Sequence, residues 1–242
     1  MNAISTRWPD QQRPHSGPLL VSFSGIDGAG KTTQIDNLID SLRDAGLRVR
    51  LIAFWDDIAT FRRFREGLGH AIFRGEIGVG APGKPVNRRD KNVQNPFTIS
   101  ARMVLCLIDA ISMRFALAKI KRNQDADIVI FDRYLYDQLV NLGIHYRASR
   151  IYTRLLLKFV PRPDIAYLLD ADPEMARARK PEYPAEYLRN TRACYLAISK
   201  IAGMNVIHAG TQLEVSNNIR LVFIAKAGQS LDWPAPQFLT GT

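Results

Sequence analysis

The sequence contains few of the residues that build disulfide frameworks, zinc centres or membrane spans. Only two of its 242 residues are cysteines, which excludes a disulfide scaffold and a cysteine-rich zinc site. Its uninterrupted apolar stretches reach about six residues, as at 103–108, whereas a membrane-spanning helix needs about 20. Residues 1–18 hold no apolar segment of the kind that directs secretion. We therefore expect a cytoplasmic protein without a membrane partner.

Positive charge is concentrated in one part of the chain. There are 33 Lys and Arg against 23 Asp and Glu, and residues 61–122 hold 13 of the basic residues but four of the acidic ones. Such a region attracts phosphate-bearing ligands, although a solvated surface with a basic bias is equally consistent with it. No aromatic residue is interleaved with the basic runs 88–91 and 119–122, which disfavours a surface for single-stranded nucleic acid.

Short apolar runs alternate with segments of helical period. The predicted strands are 19–24, 48–54, 127–132, 164–169 and 205–208. The predicted helices are 31–45, 60–73, 98–122, 149–160, 185–202 and 212–226. This alternation predicts an α/β domain at 19–226, with a parallel sheet covered by helices on both faces.

Three segments lack a helical or strand period. Residues 1–18 are expected to form a flexible N-terminal segment, residues 74–96 an inserted basic loop rich in Gly and Pro, and residues 227–242 a C-terminal tail. A loop as long as 74–96 is typically functional or disordered.

The run Gly25-Ile-Asp-Gly-Ala-Gly-Lys-Thr32 matches the phosphate-binding pattern G-x-x-x-x-G-K-[ST]. It follows a predicted strand and opens a predicted helix, where backbone N–H groups and the helix N-terminus can face phosphates. Lys31 would reach the β- and γ-phosphates of a nucleotide, and the Thr32 hydroxyl would bind Mg²⁺. The alternative is an ordinary Gly-rich turn.

Asp132 and Arg133 follow a nearly all-apolar predicted strand. Ligands of open α/β sheets lie at the carboxyl ends of the strands, so Asp132 is expected to face the phosphate loop and hold Mg²⁺, directly or through water. The Arg133 guanidinium could grip a second phosphate. In the alternative interpretation, Asp132 caps the helix that follows it.

Arg177, Arg179 and Lys180 form a basic cluster after a helix start at 172–174. Arg177 and Arg179 do not share a helix face, but a mobile lid could bring both to a nucleotide. The alternative is a helix C-terminus that favours cations through its dipole.

Other polar residues carry weaker signals. Asp56 and Asp57 follow the second predicted strand, either near the ligand edge or in a plain loop. The four histidines show no pair at metal-ligand spacing and are interpreted as structural or surface residues. The absence of an Asn-Lys-x-Asp motif counts against a guanine-specific GTPase.

These segments together resemble the thymidylate kinase family of P-loop nucleoside monophosphate kinases. The resemblance covers residues 19–226 and lies in the segments 23–33 (phosphate loop), 132–134 (Asp-Arg motif), 163–174 and 187–197 (fourth strand, lid and following helix) and 206–210 (last strand). It implies a P-loop NTPase fold, a five-stranded parallel sheet in the order 2-3-1-4-5, ATP and Mg²⁺ as cofactors, dTMP as phosphoryl acceptor, and a homodimer packed through helices.

The resemblance also implies roles for individual residues. The nucleotide would be bound by Gly25, Asp27, Gly28, Ala29, Gly30, Lys31, Thr32, Thr33 and Lys180. Within this set, Asp27 stands where the family's loop acid approaches the acceptor sugar hydroxyl. Thr32 and Asp132 would hold the metal, and Arg133 the acceptor phosphate. Members with Gly at the position of Gly28 supply the catalytic Arg from a lid, here 174–184, so the catalytic set is Lys31, Asp132, Arg133, Arg177 and Arg179.

The chain departs from the family on the acceptor side. Phe54-Trp55-Asp56-Asp57 replaces an Arg-Glu-Pro-Gly-Gly-Thr-like segment whose Arg binds the acceptor phosphate. Arg102 and Arg114 are nearest to the acceptor-side Arg of the long helix, but both are out of register. These departures and the added basic loop leave one alternative, a kinase of the same fold with another small-molecule acceptor. The positive charge at 61–122 leaves a second, a non-catalytic nucleotide-binding protein.

Overall fold

The computed structural model describes residues 17–59, 96–123, 125–142 and 147–231. Four of the predictions lie wholly or largely outside these residues: the flexible segment 1–18, the helix at 60–73, the basic loop 74–96, and most of the tail 227–242. Within the described part, no helix is long and apolar enough to cross a membrane.

The described residues form a five-stranded, all-parallel sheet. Its strands are β1 (Leu19–Ser24), β2 (Val49–Ala53), β3 (Ile128–Asp132), β4 (Ile165–Asp170) and β5 (Asn205–His208). Their spatial order is β2-β3-β1-β4-β5, which confirms the predicted fold class and strand order. The register places Phe23 of β1 opposite Asp132 of β3, so the carboxyl ends of these two neighbouring strands reach the same edge of the sheet.

The five helices predicted within the described residues are all present; the one at 185–202 has the predicted ends, and the other four differ by one to five residues at an end. The helices of the structure are α1 (Lys31–Asp44), α2 (Pro96–Asn123), α3 (Leu135–Val140), α4 (Arg147–Phe159), α5 (Pro173–Arg179), α6 (Ala185–Ala202) and α7 (Gln212–Leu231). A π-helical turn at Phe54–Ile58 follows β2. The turn and α3 were not predicted, because elements of five and six residues are too short to show a helical period.

Two helix ends correct the sequence prediction. Helix α2 begins at Pro96, which the sequence prediction assigned to the preceding loop; proline is tolerated at a helix start because its missing N–H would have no partner there. Helix α7 continues to Leu231, so the first residues of the predicted tail are helical. Ala227, in that extension, is fully buried and holds the helix against the sheet.

Burial of both faces of the sheet explains why its central strands are almost wholly apolar. One face packs against α1 and α7, through Val21, Phe23, Ile35, Leu38, Ile219 and Phe223. The other face packs against α2, α3 and α6, through Leu20, Val129, Phe131, Met113, Leu139 and Ile198. The two layers fix the strand ends, and the polar residues of the candidate site lie at those ends.

Candidate active site

The phosphate loop joins β1 to α1 and is shaped by glycine. Gly28 and Gly30 have φ angles of 84° and 86°, in the left-handed region where a side chain is strained. A Cβ atom on Gly28 would lie 2.2 Å from the carbonyl oxygen of Ala176 in α5, whereas one on Gly30 would meet nothing within 4 Å. Glycine at position 28 is therefore required both for the turn and for the close contact with the Ala176 backbone, whereas glycine at position 30 is required for the turn alone.

Lys31 is the first residue of α1, directly after this loop, and is 7% exposed. Its Nζ donates hydrogen bonds to the carbonyl oxygens of Gly25 (2.8 Å) and Ile26 (2.9 Å). Burial and, second to it, the nearby positive charge of Arg133 lower the pKa of Lys31 to about 8, against the opposing effect of the surrounding aspartates. A phosphate placed here would restore the charge stabilisation that the ammonium loses on burial.

The first turn of α1 presents the features of an anion site. The helix begins at Lys31, and its first turn has no acidic side chain to neutralise its positive end. Thr32 and Thr33 are both exposed in this turn. The predicted loop residues are thus brought together as the motif requires, with two hydroxyls beside the helix N-terminus.

Arg133 reaches the phosphate loop from the end of β3. Its φ is 69°, a left-handed value that is uncommon outside glycine, and its N–H donates to the Phe23 carbonyl at 3.0 Å. The guanidinium forms an ion pair with Asp27 of the loop and lies 3.4 Å from Asp137. Burial lowers the pKa of Arg133, but the two carboxylates raise it by more, so the side chain stays charged.

Asp132 ends β3 and is half-buried. Its negative charge acts on Lys31, where it raises the pKa. The alternative that Asp132 caps the following helix is wrong, since the N-cap position of α3 is occupied by Tyr134, two residues after Asp132. Asp132 is therefore not that cap; it lies opposite Phe23 in the register of the sheet, at the edge where the phosphate loop begins.

Asp137 is a site residue that the sequence reasoning missed. It is 2% exposed, and in the described structure its carboxylate accepts hydrogen bonds from Ser24, Tyr134 and Tyr195 and faces Arg133. The signal in the sequence was weak: an acid at the third position of a helix that is too short to be recognised by period.

The predicted lid lies against the phosphate loop. Asp172 caps α5 by accepting from the N–H groups of Glu174 and Met175, both at 3.0 Å, which confirms the predicted helix start. Arg179 points to the loop with a long contact of 3.5 Å from Nη1 to the Gly28 carbonyl.

The other two lid cations contact the lid itself. Arg177 donates to the Tyr183 carbonyl at 3.2 Å, and Lys180 lies 3.3 Å from Glu182. Of the three predicted lid residues, Arg179 is thus the one whose contact reaches the phosphate loop in the described structure.

A second carboxylate that the sequence reasoning missed ends β4. Asp170 accepts from Arg192 of α6 through both of its oxygens, at 2.5 and 2.8 Å. His208 lies 3.4 Å away, with its side chain 80% exposed, so it is a surface residue, one of the two interpretations that the sequence left open. The hydrogen bonds from Arg192 lower the pKa of Asp170. This pair fixes α6, which follows the lid, to the same edge of the sheet.

The segment that departs from the family pattern forms a local turn. Ala59 N–H donates to the Phe54 carbonyl, and the Asp57 carboxylate accepts from Ala53 N–H, both at 2.8 Å. Phe54 and Ile58 are buried beneath the turn. Asp57 therefore has a structural role in the turn, and Asp56 is exposed at the edge of the sheet.

The two out-of-register arginines bind backbone away from the phosphate loop. Arg102 donates to the Asn141 carbonyl at 3.3 Å and Arg114 to the Phe159 carbonyl at 2.7 Å. Arg114 also stacks over the Phe159 ring at 4.8 Å.

The donor set suits Mg²⁺ that arrives with a nucleotide. Within the described residues no three His, Cys, Asp or Glu side chains cluster as a metal site of the protein alone. Thr32 offers a hydroxyl and Asp132 a carboxylate, and Mg²⁺ typically takes one or two such protein ligands together with phosphate oxygens and water. These two residues therefore fit the metal of a bound nucleotide.

Comparison with known proteins gives consistent matches. The family model described as thymidylate kinase matches residues 88–219. A probable thymidylate kinase of Archaeoglobus fulgidus is 23% identical over 185 residues, covering 74% of this chain and 81% of the relative. That of Methanothermobacter thermautotrophicus is 27% identical over 196 residues, covering 79% and 86%. The thymidylate kinase of Bifidobacterium longum strain DJO10A is 26% identical over 208 residues, covering 81% and 92%. Because the family model matches more than half of the chain, and the phosphate loop lies where the fold requires it, this protein belongs to the thymidylate kinase family.

Proposed function

We propose that the protein is a cytoplasmic, ATP- and Mg²⁺-dependent phosphotransferase that converts dTMP to dTDP. The observation that carries the proposal is that Lys31 and Arg133 both contact the phosphate loop, Lys31 through the carbonyls of Gly25 and Ile26 and Arg133 through the carboxylate of Asp27. Each cation can neutralise one of two phosphates that repel each other, and most of the catalysis of phosphoryl transfer is such positioning and charge neutralisation. Membership of the thymidylate kinase family supports dTMP as the acceptor.

The roles follow from the positions of the side chains. Lys31 and the amides that open α1 would bind the β- and γ-phosphates, and Arg133 would bind the acceptor phosphate. An oxygen of the acceptor phosphate would form a bond to the γ-phosphorus of ATP while the bond to the β-phosphate oxygen breaks, and ADP leaves. Mg²⁺, held by Thr32 and Asp132, would neutralise the charge that develops on the phosphate oxygens.

The lid completes the proposed site. Arg179 lies at the carbonyl of Gly28, so it is the lid cation that we propose to act on the transferred phosphoryl group. We propose that Arg177 and Lys180 reach the nucleotide only after they leave Tyr183 and Glu182.

A coupled ATPase assay on the purified chain tests this function. We expect ADP formation that depends on dTMP and Mg²⁺, and a loss of several orders of magnitude in turnover for Lys31→Ala. Lys200→Ala, which changes an exposed lysine of α6, is the matched control. Near-normal turnover in Lys31→Ala would contradict the assignment. Salt-sensitive binding to nucleic acid without phosphoryl transfer would favour a non-catalytic protein.

The turn at Phe54–Ile58 favours one second candidate, a kinase with another acceptor. This segment offers the acidic Asp56 and Asp57 where family members offer a phosphate-binding Arg. The same assay with a panel of nucleoside monophosphates and sugars decides between the candidates, because a clear preference for dTMP eliminates the second.

We further propose a homodimer packed through α2 and α4. The two helices are in contact, with the Tyr152 hydroxyl donating to the Met103 carbonyl at 2.6 Å. They expose an apolar stripe formed by Val104, Leu107, Ile111, Phe115, Ile151, Leu155 and Phe159. These positions recur at three- or four-residue steps, opposite the buried stripe of α2. A contiguous exposed apolar face of this kind supports a protein–protein interface.

A further inference from the structure

Asp137 connects four separate parts of the site. Its Oδ2 accepts from the Ser24 hydroxyl at the end of β1 (2.7 Å) and from the Tyr134 N–H at the start of α3 (3.0 Å). Its Oδ1 accepts from the Tyr195 hydroxyl of α6 (2.6 Å) and faces Nη1 of Arg133 at 3.4 Å. The carboxylate is almost fully buried, so it is held in place by these donors and not by water.

Arg133 stands between two carboxylates. Its Nη2 pairs with Asp27 of the phosphate loop, while its Nη1 faces Asp137. An acceptor phosphate that takes the place of either contact on Nη1 or Nη2 competes with the carboxylate already there. Asp27 is on the loop that meets the substrates, whereas Asp137 is fixed from behind by Ser24 and Tyr195.

The backbone of Arg133 also needs support. A left-handed conformation in a residue with a side chain carries strain, and such strain persists only where surrounding contacts fix the residue. Arg133 is held through its N–H on Phe23 and through its guanidinium on Asp137 and Asp27. When an acceptor phosphate takes the place of the Asp27 carboxylate on Arg133, Asp137 is the carboxylate of the two that remains in contact with the guanidinium.

We propose that Asp137 is a positioning residue that holds Arg133 ready for the acceptor phosphate while Asp27 is released. The inference rests on the proposed kinase function and deepens it, because it assigns acceptor affinity to a buried residue that does not itself touch either substrate. Tyr195, whose buried hydroxyl has its pKa raised by burial and by Asp137, remains a proton donor and keeps Asp137 in place.

Asp137→Asn tests the proposal with little change of shape. The amide oxygen of the substituted side chain can still accept from Ser24 and Tyr134, and its NH₂ group can donate to the Tyr195 hydroxyl oxygen. The contact with Arg133 is lost, because the NH₂ group repels the N–H groups of the guanidinium. We expect the KM and the equilibrium Kd for dTMP to rise about tenfold, since a hydrogen bond to a charged group is lost. The Kd for ATP should change less than about twofold.

Lys200→Ala is again the control, and Tyr195→Phe is a milder variant of the same arrangement, because it removes one of the donors that hold Asp137 and leaves those from Ser24 and Tyr134 and the Arg133 contact. Tyr195→Phe should alter the Kd for dTMP by less than about threefold. Arg133→Gln completes a double-mutant cycle: if Asp137 acts through Arg133, adding Asp137→Asn to Arg133→Gln causes no further loss of dTMP affinity. If Asp137→Asn does not fold, Asp137→Ser, which is smaller and also uncharged, replaces it in the same cycle.

The outcomes separate this inference from the proposed function. Wild-type protein that neither binds nor phosphorylates dTMP contradicts the function. An active wild type overturns the inference in any of three cases: dTMP affinity unchanged by the Asp137 variant, equal losses of ATP and dTMP affinity, or additive losses with Arg133→Gln. A selective and non-additive loss of dTMP affinity supports it.

Discussion

The backbone of Gly28 lies directly against the carbonyl of Ala176, so close that a Cβ atom on Gly28 would stand 2.2 Å from that oxygen. This contact joins the phosphate loop to the helix that begins the lid. In the structure this contact between the lid and the loop is made by backbone atoms and does not depend on the side chains of Arg177 or Arg179.

Gly28→Ala and Gly30→Ala should differ because of this contact. Both glycines have left-handed φ angles, so each substitution is expected to destabilise the fold by about 1–2 kcal/mol through backbone strain. Gly28→Ala adds a clash with the Ala176 carbonyl, which α5 must relieve by moving. We expect the free energy of unfolding of Gly28→Ala to be lower than that of Gly30→Ala by at least about 1 kcal/mol, as measured by urea denaturation. Equal losses would show that the loop and α5 are not in contact in solution.

Binding of ATP should be linked to protonation of Lys31. Its pKa is about 8 in the folded protein, against the usual 10.5, and a bound phosphate favours the charged form. We expect ATP binding at pH 8 to take up about half a proton through this residue and to weaken as the pH rises further. Calorimetry in buffers of different ionisation enthalpy measures the uptake.

Lys31→Arg is the control for this linkage, because the guanidinium does not titrate in that range. Proton exchange by the nucleotide itself is common to both proteins and cancels in the difference. Equal uptake by the two proteins would contradict the lowered pKa.

The same shift predicts how the stability of the fold changes with pH. The pKa of Lys31 is lower in the folded than in the unfolded protein, so burial of the charged side chain costs stability below pH 8. This cost is lost as the pH rises toward 10.5.

The Asp170–Arg192 pair should stabilise the protein in a pH-dependent manner. Arg192→Met leaves the buried carboxylate without its two-point partner, and we expect a loss of about 1–3 kcal/mol at pH 7. The pKa of Asp170 is lowered in the folded state, so this contribution is present above the unfolded pKa and is lost as the pH falls through the folded value. Denaturation at pH 7 and pH 3 should show a smaller difference from wild type at pH 3.

Arg189→Met provides the comparison for that variant. Arg189 pairs with Glu174, but both side chains are more than half exposed, and such surface pairs contribute about 0–1 kcal/mol. If Arg189→Met and Arg192→Met destabilise the protein equally, burial of Asp170 does not decide the strength of the pair.

The fold and the position of the loop between β1 and α1 could be predicted from the sequence because their signals are local. Apolar runs specify buried parallel strands, and the run from Gly25 to Thr32 has a spacing that few other structures require. Asp132 was predicted for the same reason, as an acid that follows a buried strand at the edge where ligands bind.

Asp137 and Asp170 could not be assigned in the same way, because their partners are distant in sequence. Asp137 meets Ser24 and Tyr195, which are 113 and 58 residues away, and Asp170 meets Arg192 across the end of the sheet. Nothing in the local pattern of either aspartate indicates these donors. The turn after β2 was missed for a different reason, since a π-helical turn of five residues has no period to recognise.

The apolar stripe of α2 and α4 gives the last prediction. Phe115 and Leu155 are 73% and 62% exposed, and a carboxylate at either position would be buried without a partner in a dimer packed through this stripe. We expect wild-type protein to have the mass of a dimer in light scattering after gel filtration, and Phe115→Asp and Leu155→Asp to have that of a monomer. Leu213→Asp, at a position 69% exposed on α7, should leave the dimer intact, because it adds the same charge outside the stripe. A monomeric wild type would contradict the dimer, and a dimer that survives both substitutions in the stripe would place its interface elsewhere. Dissociation by all three variants would indicate an effect of net charge and not of this surface.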